Sequence, residues 1–85
     1  MAKPDFPIVV AVIPKGDAEV RVSLDEFKGH LTVDIRLFEP FTAAQVPMPT
    51  RKGVTIGLGK LPDLAAALAD AETRARELGL IAGDA

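Results

Sequence analysis

From Leu31 to Phe38 apolar and polar side chains alternate without a break, with Leu31, Val33, Ile35 and Leu37 set against Thr32, Asp34, Arg36 and Phe38. A period of two belongs to an extended strand with one face on a core; on a helix the same residues would be scattered around the axis. The second face carries the functional clue. Arg36 and Phe38 stand two residues apart and project side by side, a cation suited to phosphate next to a ring suited to stacking on a base.

The same period appears upstream, where Val20, Val22 and Leu24 alternate with Arg21, Ser23 and Asp25 as far as Phe27. Lys28-Gly29 then supplies a turn, so this segment and the Leu31 strand are predicted to form an antiparallel hairpin. Ile8 to Ile13 is a β-branched run closed by Pro14 and reads as a first strand, with Lys15-Gly16-Asp17 as turn. Pro40 is expected to end pairing. Phe41 to Lys52 then reads as a long loop stiffened by Pro47 and Pro49, with the basic pair Arg51-Lys52 at its far end. Gly53 to Gly59 resumes the alternation as a fourth strand, Val54, Ile56 and Leu58 inward. Beyond it the period changes to three and four at Leu61, Leu64, Ala65, Leu68, Ala71, Ala75 and Leu78, the stripe of an amphipathic helix. Pro62 suits the first helical position, Asp63 the first turn, Arg74 and Arg76 the last turn, and Gly79 the C-terminal cap.

An 85-residue chain needs a staple, because a core of that size stabilises a domain only marginally. With no cysteine there is no disulfide, and with His30 the only histidine there is no structural zinc site. No metal or other cofactor is expected. Self-association is the staple that remains, and one helix covers four strands poorly, so a homodimer is predicted. No apolar run approaches the roughly 18 residues of a membrane span, and Ile8 to Ile13 has no basic leader before it. No membrane partner is expected, and the chain reads as cytoplasmic or nucleoid-associated if bacterial, nuclear if eukaryotic.

Enzyme readings fail on the residues. Gly57-Leu58-Gly59-Lys60 looks like part of a phosphate-binding loop, but Val54 stands where the first glycine should be and Leu61 where the hydroxyl should be. There is no cysteine nucleophile and no evident serine partner for His30, so the chain is read as a non-enzyme. Its net charge of −2 argues against a nucleic-acid partner until its distribution is considered. The ends are acidic, whereas the segment between them carries Arg21, Lys28, Arg36, Arg51, Lys52 and Lys60 against only Asp25, Glu26, Asp34 and Glu39. That segment also holds the Arg36/Phe38 face.

The series from Val20 through Phe27-Lys28-Gly29, then Val33-Asp34-Ile35-Arg36, then Pro49-Thr50-Arg51-Lys52-Gly53-Val54-Thr55-Ile56, then a leucine-bearing helix, resembles the positive cofactor 4 family of transcriptional coactivators. The resemblance covers about residues 8 to 79. It implies a fold class of α+β, a four-stranded antiparallel curved sheet followed by one C-terminal amphipathic helix, dimeric. The implied division is a flexible arm over 1–7, a single-stranded-DNA-binding domain over 8–79 and a tail over 80–85.

The resemblance also implies roles. Phe27 and Phe38 would lie near or in a groove for single-stranded DNA, with Lys28, Arg36, Arg51 and Lys52 on its phosphates. His30 stands where many members carry a lysine, so at neutral pH it would contribute partially. Glu39 follows Phe38 where some members have a tryptophan, which removes a stacker and adds a negative charge. The function implied is that of a homodimeric single-stranded-DNA-binding transcriptional coactivator or regulator of low sequence specificity. Each residue also has a plainer reading: Phe27 as a turn anchor, Arg36 as the partner of Asp34, Lys28 as a solvated turn residue, Asp34 as a structural acceptor. The alternative at the level of function is a protein-interaction module, or an RNA-binding protein, using the same sheet surface and proline-rich loop, with the transcription machinery as a possible partner.

Overall fold

A computed structural model describes residues 4–41 and 45–82. The expected arm, connecting loop and tail therefore lie partly outside the described residues, at 1–3, 42–44 and 83–85. Four strands run in chain order across one antiparallel sheet: β1 (Ile8–Lys15), β2 (Ala18–Phe27), β3 (His30–Pro40) and β4 (Pro47–Gly57). A single 3-10 turn, Leu58–Lys60, leads into α1 (Leu61–Glu77).

The β2–β3 register is unbroken from Glu19 opposite Phe38 to Phe27 opposite His30. The alternation of both strands therefore stays in phase, and the apolar residues Val20, Val22, Leu24, Leu31, Val33, Ile35 and Leu37 share one face. The turn between them is two residues long with positive φ at both Lys28 (51°) and Gly29 (82°), the backbone twist that suits a tight hairpin.

The fourth strand ends at Gly57 rather than Gly59, because Leu58 and Gly59 already turn into the 3-10 segment; two further boundaries differ from the sequence reading for one reason. Pro14 pairs with Glu19 inside β1, and β4 begins at Pro47 rather than Gly53, with Pro47 opposite Pro40 and Pro49 opposite Phe38. β1 and β4 are the two edges of the sheet, where a strand needs hydrogen bonds on one side only and proline's missing N–H is tolerated. The expected twelve-residue loop is thus about half as long, and Arg51-Lys52 lies within a strand. Between Arg36–Gly53 and Phe38–Pro49 the register shifts, so that Thr50, Arg51 and Lys52 together face Leu37 as a bulge. A second irregularity leaves Val10 unpaired in β1.

The helix runs from Leu61 with Pro62 in its first turn, one residue earlier than the proline alone suggests. It ends on a paired cap: the Leu80 N–H donates to the Ala75 carbonyl (2.8 Å) and the Gly79 N–H to the Arg76 carbonyl (3.0 Å). Gly79 takes φ 73°, the left-handed turn this cap requires. Within α1, however, only Leu61, Leu64 and Ala75 are even partly shielded, and Leu68 is 57% exposed.

Val33 is the one buried hydrophobic residue among those described, and Ile13, Leu31 and Val54 on the same sheet face remain about half exposed. The radius of gyration, 15.6 Å, exceeds the roughly 12 Å of a compact chain of this length. A single chain therefore holds an organised sheet and helix with very little core between them.

Candidate nucleic-acid interface

The polar face of the sheet is fixed by register. Phe27, Asp25, Ser23, Arg21 and Glu19 of β2 lie opposite His30, Thr32, Asp34, Arg36 and Phe38 of β3, and Thr55 and Gly53 of β4 flank Asp34 and Arg36. Toward the hairpin end this face is hollowed into a cleft of about 550 Å³. Phe27 and His30 form its outer end, Asp25 and Thr32 its middle, and Asp34, Arg36 and Thr55 its inner end. Of the residues expected to bind DNA, the cleft gathers Phe27, His30 and Arg36.

Arg36 is held in place there. Its Nε donates to Asp34 Oδ2 (3.1 Å) and its Nη2 to Asp34 Oδ1 (2.9 Å), a two-point fork that fixes the guanidinium plane. Nη1 donates to the Thr50 carbonyl (2.9 Å), and Nη2 also reaches Thr55 Oγ1 (3.2 Å). Four of its five N–H groups are thereby committed. Thr55 Oγ1 in turn donates to Asp34 Oδ1 (2.6 Å). The Arg36 hydrogen bond is the main cause holding the Asp34 carboxyl below its ordinary range, partial burial opposes it, and Thr55 assists; Arg36 is raised in return, chiefly by its hydrogen bond to Asp34. The sequence left Arg36 open between phosphate contact and pairing with Asp34. In the free chain it is paired.

Phe38 lies on the same face but outside the cleft. Arg21 covers its ring, the guanidinium carbon 4.2 Å from the centroid, and Arg21 Nε donates to Glu19 Oε2. Glu39, which follows Phe38, falls on the opposite face by the alternation of β3, so its charge does not enter the polar face.

Lys28 sits at the rim, its Nζ 5.3 Å from the Phe27 ring centre. Phe27 as a residue is 66% exposed. Arg51 and Lys52 are exposed on the β4 bulge, outside the cleft lining. The bulge is braced by Thr50, whose hydroxyl donates to the Leu37 carbonyl (2.8 Å) and accepts from the Lys52 N–H (3.1 Å).

Sequence reasoning did not single out Asp25, Thr32, Thr55 and Arg21 as parts of this site. Three of them could have been found from the alternation that placed Arg21 and Asp25 outward on one strand and Thr32 outward on the next. Thr55 depended on the β3–β4 register. Among the described residues no cluster of histidine or carboxylate side chains is arranged to hold a metal ion.

The sequence profile of the family "Transcriptional Coactivator p15 (PC4)" matches residues 15–67, from the end of β1 into the first turns of α1. The chain belongs to the PC4 family. The match spans both hairpin strands, the bulge and the whole cleft. Among solved structures, the chain is similar to a PC4 homologue from Burkholderia pseudomallei, at 25% identity and a TM-score of 0.70 over 84% of this chain and 96% of that one. It is also similar to the bacteriophage T5 homologue of the eukaryotic coactivator PC4, which is implicated in recombination-dependent DNA replication, at 25% identity and a TM-score of 0.56 over 91% and 98%. No curated protein sequence matches the chain.

Proposed function

We propose that the chain is a homodimeric, non-enzymatic protein that binds single-stranded DNA without reading a particular sequence and acts in transcription regulation. One observation carries this reading: the exposed aromatic residue Phe27 opens onto a cleft in the polar face of the sheet, with Lys28 beside its ring and Arg51 and Lys52 exposed on the β4 bulge next to the Arg36–Gly53 pair. A ring on the polar face of a sheet offers a platform for any base, because every base has a π-face, and cations beside it meet the backbone. Paired bases in a duplex cannot present that face. PC4 membership supports the assignment to DNA and to transcription, and the half-open apolar face of the sheet supports the dimer.

On this reading the labour is divided by position. Phe27 stacks, Lys28 and the Arg51-Lys52 pair take phosphates, and Arg36, locked by Asp34, Thr50 and Thr55, gives shape to the inner wall with a single N–H left for a ligand. His30, opposite Phe27, closes the outer end of the cleft. Titration of the protein with labelled single-stranded DNA, duplex DNA and RNA of matched length tests the reading. The expected order is single-stranded DNA above duplex, with affinity falling as salt rises. Equal affinity for duplex and single strand, or none for either, would remove it in favour of docking to another protein.

A further inference from the structure

The floor of the proposed groove is charged in a way that does not suit phosphate. Arg36 is neutralised by Asp34 and, farther along the same face beyond the cleft, Arg21 by Glu19. Asp25 then adds a third carboxylate to the same face and takes part in no ion pair among the described residues. Lys28, Arg51 and Lys52 take part in no ion pair among the described residues, and all three lie outside the cleft lining. A polyanion is therefore drawn to the edges of the cleft and repelled from its floor, and the groups that reach the floor are bases.

Asp25 is placed to meet them. It lines the cleft with Phe27, two residues along the same face of β2, a spacing of about 7 Å that lies within the span of a base stacked on the ring. One oxygen, Oδ1, accepts the Glu26 N–H (2.7 Å), which orients the carboxylate; the second lone pair of Oδ1 and both of Oδ2 remain to accept from a ligand. An ionised carboxylate only accepts hydrogen bonds. Guanine offers it two adjacent donors, N1–H and the 2-amino group; cytosine and adenine each offer one amino group. Thymine and uracil set carbonyls on both sides of a single N–H, and those carbonyls oppose the carboxylate.

We propose that Asp25 makes the groove selective for base type, favouring guanine, then cytosine and adenine, over thymine and uracil. This rests on the single-stranded-DNA reading above and narrows its ligand class; the preference concerns base composition rather than sequence order.

Fluorescence anisotropy with the full chain and labelled strands of about 16 nucleotides tests it. One strand is all thymidine, a second has guanosine at spaced positions, and a third has inosine at those positions, which keeps N1–H and lacks the 2-amino group. The guanosine strand is expected to bind on the order of tenfold tighter than the thymidine strand, with inosine between them. Asp25→Asn is expected to bring the three strands level. Equal wild-type affinities, or a guanosine preference intact in Asp25→Asn, would overturn the role of Asp25 while leaving the groove standing. Binding to no strand at all would overturn the groove reading and this inference together. The inosine comparison uses the unaltered protein, so the result stands whether or not the variant folds.

Discussion

Gly53 lacks a side chain because there is no room for one. A Cβ built on it would lie 2.5 Å from the Ile35 carbonyl oxygen and 2.8 Å from the Arg36 Cα, both backbone atoms that no rotamer change can move. Gly53→Ala is therefore expected to push β4 off β3 and cost about 1–3 kcal/mol, read as a lower denaturant midpoint, although the position is exposed. Asp34 makes a second prediction at this scale. Because its folded-state pKa lies below that of the unfolded chain, the stability it adds is fully present above the ordinary carboxylate range near pH 4 and is lost as pH falls through the lowered value. Unfolding measured from pH 5 downward should show Asp34→Asn less stable than the wild type at the upper end and converging with it in acid. A constant gap across that range would mean that the Arg36 fork contributes nothing through charge.

At the scale of elements, the two ends of the cleft do different work. Phe27, at the end of β2, is expected to stack, so Phe27→Ala should cost about 1–3 kcal/mol of binding with the salt dependence unchanged, since stacking displaces few counterions. Phe38 on β3 shares its ring with Arg21, and Phe38→Ala should cost less than Phe27→Ala. The β4 bulge carries cations instead. Replacing Arg51 and Lys52 with Ala should weaken binding to all single strands and flatten the plot of log affinity against log salt by about 0.7 for each phosphate that is no longer neutralised. Binding isotherms at several salt concentrations separate these outcomes, and a Phe27 variant that changed the slope would contradict the assignment of stacking to that ring.

For the whole molecule, the decisive fact is how little one chain buries. An open apolar sheet face beside a helix with no buried residue is a surface that self-association would cover. Leu68 distinguishes the possibilities. On a helix exposed to water, Leu68→Asp would change stability by no more than about 0.5 kcal/mol. In a dimer that covers the stripe, it places an unpaired charge in an interface and should dissociate and unfold the protein together. Sedimentation equilibrium paired with denaturation at several protein concentrations checks this, since the midpoint of an obligate dimer rises with concentration. A folded wild-type monomer at micromolar concentration would end the dimer reading.

Local periodicity determined most of the architecture. The alternation in β2 and β3, the change to helical spacing at Leu61 and the glycine at 79 each depend on near neighbours, so the hairpin, the helix and its cap were legible without coordinates. The polar face was legible for the same reason: residues two apart on a strand share a face whatever the rest of the chain does. The edge positions of β1 and β4 were not legible, and so the strand character of Pro14, Pro47 and Pro49 was missed. Whether a strand lies at an edge depends on which segments pair, and no local pattern records it. The β4 bulge, the closeness of Gly53 to Arg36, the Arg21 cover on Phe38 and the commitment of Arg36 to Asp34, Thr50 and Thr55 join residues from different strands or different rotamers. The Arg36–Asp34 pair lies along one strand and was open to the sequence as one of two readings; the others are interactions across the sheet, which only the assembled register could decide.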